Sequence, residues 1–496
     1  MPLFLPLFVA AHSILLYAPP AAPPGTTLHV RLTSAVGTFA SRSHSRIGAV
    51  LIAPVKAGGE TILPTGSVLE GEVRAVRRVG LGVIHESASM QLDFSSVTLP
   101  NGDVFPLDTK MAAVDNGREI VTPRGSIQRG RSTGSLGNRV ALYIRKLALL
   151  DVHAQLVVWA VKATIVQVPE PEIYLPTGTE LTLTLTSPVR TIAQGVGLGE
   201  PRGLTDEERE RLAPVVAALP VRTSAEFNER PSDPVNVVFI GSREQVSAAF
   251  AAAGWLEALP RSTRNDLASV WAMVRNTPSP RAPMSPMLLN DAPTDMGWQK
   301  GFNDFAKRHH VRLWEQSETF DGQQVWAAAA TRDVDFAYFR KGKPMTHEIA
   351  RLVDNERDKI AADLAFTSCA DAVDWVERPG VPHVMKGATG DMMETDGRVL
   401  VVRLNDCDSP NKVGNALDAD TLPEHGGVLQ RVMRRQIMCL RSDFLRTNVY
   451  WRSFEGARLL VSAMRHRQVV DPDAAPQQTF ASRWFPDDLN SIISYH

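Results

Sequence analysis

Apolar and polar residues alternate along most of the first 110 positions. In PPGTTLHVRLTSAVGT (23–38), Leu28, Val30 and Leu32 point one way and His29, Arg31 and Thr33 the other. A period of two predicts half-buried strands, and the Pro-Gly turn ahead of it predicts where the strand begins. The pattern returns in LPTGTELTLTLTSPVRT (175–191), with Leu181, Leu183 and Leu185 in phase. A shorter copy is LPTGSVLEGEV (63–73). AVLIAPV, MQLDFSSVTL and LPNGDVFPL continue the style. These runs predict an all-β barrel- or sandwich-like domain over residues 23–114, to which a strand in 175–200 returns.

The stretch between them reads differently. Residues 115–138 are rich in Gly, Ser and Arg and predict a loop or linker. Residues 139–168 are apolar but carry Arg145, Lys146, Asp151, His153 and Lys162. A bilayer span would bury those charges, so the run predicts a packed helical segment within 115–174. Residues 201–232 form a polar connector holding a helix capped by Thr205.

The pattern changes kind at DPVNVVFIGSREQVSAAFAAAGW. Val235 to Ile240 predicts a short buried strand, and Ser242 with Gln245 a capping box on a helix that runs to Gly254. HHVRLW and QVWAAAATRDVDF then alternate on either side of Asp321-Gly322, a favoured hairpin turn. KGKP predicts a second turn, and residues 345–353 a third strand carrying His347. DNERDKIAADLAF predicts a helix with Asp354 as N-cap, Glu356 in its first turn, and Ile360 and Leu364 buried. Residues 233–408 therefore read as an α+β domain with an antiparallel sheet. Residues 409–496 read as a helical extension.

The hairpin assembles the candidate chemistry. With the turn centred on Asp321-Gly322, His310 opposes Asp333, Arg312 opposes Thr331 and Trp314 opposes Ala329. His310, Arg312, Thr331 and Asp333 then share one face, while His309 faces the core with Val311 and Leu313. His310 or His347 is the candidate general base or metal ligand, oriented by Asp333. Arg312, Arg332 and Arg357 are the candidate anion holders. Ordinary cross-strand pairs on a solvated sheet face have the same composition, and the pattern alone does not choose. HExxH, Walker and Cys-His zinc patterns do not occur, so no metal site and no cofactor are predicted. GRSTG (130–134) matches a nucleophile elbow in letters only, because Ser132 sits in the Gly/Ser/Arg stretch without a strand before it. FIGSRE (239–244) lacks the glycines of a phosphate loop.

Charge and composition narrow the partners. The net charge of −1 gives no global field for nucleic acid. Residues 428–468 are the local exception, with nine Arg against Asp443 and Glu455. Val432, Met433, Ile437, Leu440, Phe444 and Leu445 fall on one helical face there, so an anionic lipid surface or an envelope protein is the expected partner. Cys369, Cys407 and Cys439 admit at most one disulfide. Residues 2–18 are almost wholly apolar and are followed by small residues and prolines, so 1–22 reads as an export signal although no basic residue precedes the run.

PVNVVFIGSREQVSAAFAAAGW, PMSPMLL, RHHVRLW, AATRDVDF and THEI…VDNERDKIAADL occur in this order. Together they resemble the LssY C-terminal-like domain family, over about residues 233–380. The family is named for a bacterial secretion locus, and its members often join this domain to membrane-embedded phosphatidic-acid-phosphatase or DedA-like regions. The resemblance implies a bacterial envelope context and no defined activity. The N-terminal half resembles strand-rich modules of exported bacterial proteins. The expectation is an exported protein, periplasmic or membrane-associated, acting as a non-enzymatic binding or assembly module. The alternative is a hydrolase of phosphorylated or lipid-linked substrates using His310, Asp333, His347 and the arginines.

Overall fold

The computed structural model describes residues 21–79, 87–129, 151–161, 172–190, 200–226, 229–275, 278–340 and 343–413, with isolated positions beyond and between them. The apolar N-terminus, Ser132, Cys439 and most of the basic segment 428–468 lie outside the described residues. Of the apolar face read in that segment, Met433, Ile437 and Leu440 are described, and all three are exposed.

Among the described residues, the first half is a nine-stranded, nearly closed barrel-like sheet. Its order runs Ile120–Val121, Ser126–Gln128, Ser89–Thr98, Val68–Arg77, Arg46–Leu51, Thr27–Leu32, Glu180–Leu185, Thr109–Val114. Val104–Pro106 pairs beside Ser89–Thr98, and Thr109–Val114 comes back against Ile120–Val121. The two repeat strands pair with each other, Val30 opposite Leu181. Their in-phase leucines and valine form the barrel core. All three repeat copies use one turn. Gly25, Gly66 and Gly178 have φ of 90°, 87° and 93°, a region that glycine enters without strain. The next hydroxyl then donates back to the proline carbonyl, from Thr26, Ser67 and Thr179 to Pro23, Pro64 and Pro176, each at 2.7 Å.

Two expectations about the intervening stretch change. Residues 115–128 are not all loop, because Ile120–Val121 and Ser126–Gln128 extend the barrel. Helix Val152–Val161 exposes Val152, Leu156, Val157 and Val161 instead of packing them. Among the described residues, no helix is long and apolar enough to cross a membrane.

The second half is α+β. Its eight-stranded sheet runs Leu256–Glu257, Met296–Gly301, Arg308–Phe320, Gln323–Arg340, Val237–Ile240, Val399–Leu404, Ala370–Val376, with Lys343–Ile349 beside Gln323–Arg340. Every pairing is antiparallel except Val237–Ile240 with Val399–Leu404. Helices Arg243–Ala252 and Asp354–Thr367 cover one face through Val246, Phe250, Ile360 and Leu364. Helix Asp206–Ala218 covers the other through Leu212 and Val216. Thr205 and Ser242 both form complete capping boxes. Asp354 does not cap. Val353 holds that position, and the Asp354 carboxylate accepts from the Thr395 hydroxyl and the Asp396 N–H, 2.7 Å each. A disulfide joins Cys369 and Cys407.

The hairpin register differs from the expected one by two. Phe320 opposes Gln323 as the Asp-Gly turn dictates, but the pairing shifts between Glu315 and Thr319. Beyond the shift His310 opposes Thr331, Arg308 opposes Asp333 and Arg312 opposes Ala329. Strand Arg308–Phe320 holds two extra residues there, and an even number preserves the alternation of faces. The expected face survives although each expected pair does not.

A charged seam joins the two halves. Glu180 of the barrel accepts from Arg31 at 2.8 Å, Lys300 at 2.7 Å and Lys359 at 2.6 Å. Asp363 takes the same two lysines at 3.1 and 3.0 Å. Burial alone would raise the Glu180 carboxyl, but Lys300, Lys359 and Arg31 hold it well below its ordinary range. The Arg31 guanidinium lies over the Phe366 ring, 5.0 Å from its centroid.

Candidate functional site

Adjacent strand residues point to opposite faces, so the His309-His310 pair serves two environments. His310 is buried at the floor of a cleft of about 430 Å³. Asp333 is the hub of that floor. Its carboxylate meets His310 Nε2 at 3.0 Å, Arg308 at 3.2 Å and His347 Nδ1 at 3.5 Å. Burial would raise its pKa, but His347, His310 and Arg308 outweigh that and keep it ionised.

The hydrogen bonds indicate tautomers. Arg308 can only donate, so its contact to His347 Nε2 at 3.1 Å makes that nitrogen an acceptor and leaves the proton on Nδ1, towards Asp333. The recessed position of His347 pushes its pKa down to about 4, with Asp333 opposing and Arg308 adding to the effect. It is therefore a neutral imidazole at physiological pH. Arg312 likewise donates to His310 Nδ1 at 3.4 Å, leaving Nε2–H for Asp333. Thr331 Oγ1 stands 3.3 Å from the same Nδ1 and donates to Asp233 at 3.1 Å. Burial lowers the Arg312 pKa, and Asp233 offsets part of this. Arg308 Nε and Arg312 Nε are buried without a hydrogen-bond partner, so two guanidinium N–H groups of the floor lack an acceptor.

The walls are mostly apolar, with Glu226, Arg261, Ser269, Ser285 and Thr389 among them. Pro283, Met284, Pro286 and Met287 form one side, Phe305, Phe336 and Ile349 another, and Val270 and Met273 of helix Thr263–Arg275 a third. Phe336 packs on the His347 ring, with centroids 4.9 Å apart. Four of the stretches that carry the family resemblance, PMSPMLL, RHHVRLW, AATRDVDF and THEI, thus meet at one cleft.

His310, Asp333, His347 and Arg312 come together there. Arg332 does not: it points to the seam and donates to Asp115 of the barrel at 2.6 Å. Parity separates it from its neighbours Thr331 and Asp333. Arg357 is also elsewhere, tied to Asp396 at 2.7 Å and Asp358 at 2.9 Å. His309 does share a face with Val311 and Leu313, but it is no plain core residue. Its Nδ1 meets Glu356 at 2.6 Å and its Nε2 meets Asp115 at 2.7 Å. Burial opposes its charge, yet Asp115 and Glu356 raise its pKa. Sequence reasoning missed Arg308 and Asp233, one strand period before His310 and one strand start away. Alternation would have found Arg308 on the His310 face; Asp233 had no local signal. Among the described residues, no group of three or more metal-ligating side chains could hold an ion.

The molecule is thus a barrel-like β module fused to an α+β domain that carries a polar-floored, mostly apolar-walled cleft. Residues 216–399 match the family model described as LssY C-terminus, which bears out the resemblance over that segment. No curated protein matches the chain. A solved structure of ComB10, of the Com type IV secretion system of Helicobacter pylori, matches at 8% identity over 34% of this chain and 89% of its own, with a TM-score of 0.20.

Proposed function

We propose that this is an exported envelope protein whose cleft binds an amphipathic molecule, with an acceptor-rich head such as a phosphate on the floor and an alkyl chain on the walls. One observation carries the reading. Two arginines and two histidines, Arg308, Arg312, His310 and His347, converge on a cleft whose walls carry Met, Pro and Phe, and one N–H of each arginine lacks an acceptor. Ligand sites combine apolar walls with a few convergent polar groups in this way. The Cys369–Cys407 disulfide and the apolar run at 2–18 support export. Dodecyl phosphate below its micellar concentration is the probe, read by calorimetry on the full chain. Saturable binding that needs both the phosphate and the alkyl chain is expected. Binding neither dodecyl phosphate nor dodecanoate overturns the reading.

A second reading, hydrolysis of a phosphorylated or lipid-linked substrate, is favoured by one observation. Asp333 orients His310 so that its Nδ1 is the acceptor nitrogen, held at 3.4 Å by Arg312 and 3.3 Å from the Thr331 oxygen. Turnover of a generic phosphoester or ester, lost in Asp333→Asn with the fold intact, is the expected result. Silence across such a panel, with and without divalent metals, removes it.

A further inference from the structure

Helix Thr263–Arg275 stands at the cleft mouth, which it lines through Ser269, Val270 and Met273. Beside those positions Leu267, Val270 and Trp271 are 56%, 49% and 46% exposed. Their i, i+3, i+4 spacing gathers them into one stripe. Arg264 is exposed and lies seven residues before Trp271, so it borders the same stripe. Residues 261–281 hold Arg261, Arg264, Arg275 and Arg281 against Asp266 alone, a local balance of 4 − 1 = +3 in a chain whose net charge is −1. Asp266 is engaged by Arg261 at 3.0 Å. An exposed apolar stripe with a tryptophan and a basic border suits the boundary of an anionic bilayer better than a protein groove.

We propose that this helix docks the protein on an anionic lipid surface, with Leu267, Val270 and Trp271 entering the headgroup boundary and Arg264 meeting lipid phosphates. The cleft mouth then opens at the bilayer. The docking does not require the cleft to be occupied, so it stands or falls separately from the reading above. It also moves the lipid contact away from the basic segment 428–468, where composition alone would place it.

The experiment is flotation of the full chain with phosphatidylcholine vesicles containing or lacking phosphatidylglycerol, at low and high salt. Binding that needs phosphatidylglycerol and weakens with salt is expected. Leu267→Glu with Trp271→Glu should reduce it at least tenfold, and Arg264→Glu several-fold, with unchanged circular dichroism. Arg434→Glu with Arg435→Glu should leave it unchanged. Brominated lipid should quench fluorescence in the wild type and less in Trp271→Phe. The proposal falls if the wild type does not float, if the Leu267/Trp271 variant floats normally, or if the Arg434/Arg435 variant alone loses binding. It also falls if the stripe variant instead dissolves a dimer seen by sedimentation velocity, since a second copy would then cover the stripe. Dodecyl phosphate binding without vesicles separates the two readings, because the stripe variant keeps an intact cleft.

Discussion

On the barrel side of strand Arg308–Phe320, His309 is closed in by two carboxylates, Asp115 from the barrel and Glu356 from the helix behind it. On the other side, one residue along, His310 meets Asp333 at the bottom of an open cleft. Both imidazoles are buried and both touch a carboxylate. They differ in what else can reach them. His309 spends both ring nitrogens holding two parts of the chain together, whereas His310 spends its own on Asp333 and Arg312 within one sheet face and lines a cavity. Burial with a charged partner does not by itself mark a functional residue. The space beside it does.

This contrast makes predictions of decreasing size. Glu180→Ala should do most damage, since it strips a shared carboxylate from Arg31, Lys300 and Lys359 in the seam. Leaving buried charges uncompensated costs about 3–5 kcal/mol, measurable by chemical denaturation. Next, His309→Ala should cost about 2–3 kcal/mol by exposing Asp115 to Glu356 without a bridge, and His310→Ala about 1 kcal/mol because Asp333 keeps Arg308 and His347. Equal losses would erase the distinction between the two faces.

Acid and alkali should separate them further. His309 has a raised folded pKa, so its stabilisation is complete below its unfolded value near 6.5 and is lost as pH rises through the folded value. His347 is the opposite case. Its folded pKa is about 4, so stability falls as pH drops from 6.5 towards 4 and then levels off. Asp335, pushed up to about 6 chiefly by burial, slopes against His347 in that window. The readout is therefore the difference from wild type: His347→Gln should remove an acid limb and His309→Gln an alkaline one. Imidazole titrations by NMR that gave both histidines one midpoint would contradict this. The smallest stability effect belongs to the cleft walls. Met273→Asp and Met284→Asp, at half-buried positions, should cost no more than about 1 kcal/mol, yet weaken dodecyl phosphate at least tenfold.

Much of this was legible in the sequence, for local reasons. Leu28, Val30 and Leu32 announced a strand, the Pro-x-Gly turns announced its start, and Thr205 and Ser242 announced two helices. The common face of His310, Arg312, Thr331 and Asp333 followed from alternation. What escaped was non-local. Nothing near His309 points to Asp115, which comes from the other half of the molecule. Arg332 looked like a cleft residue until the barrel supplied its carboxylate. Asp354 looked like a cap until Thr395 and Asp396 claimed its oxygens. Helix Thr263–Arg275, whose stripe stays exposed, gave no core signal to read.

The irregularity between Glu315 and Thr319 acts like a reading frame. Strand Arg308–Phe320 can gain or lose residues there in twos and keep the facing of every residue before it. A single insertion or deletion that the irregularity fails to absorb would turn the strand over. His309 would then face the cleft and His310 the barrel, one change that disables the joint and the pocket together while altering neither histidine.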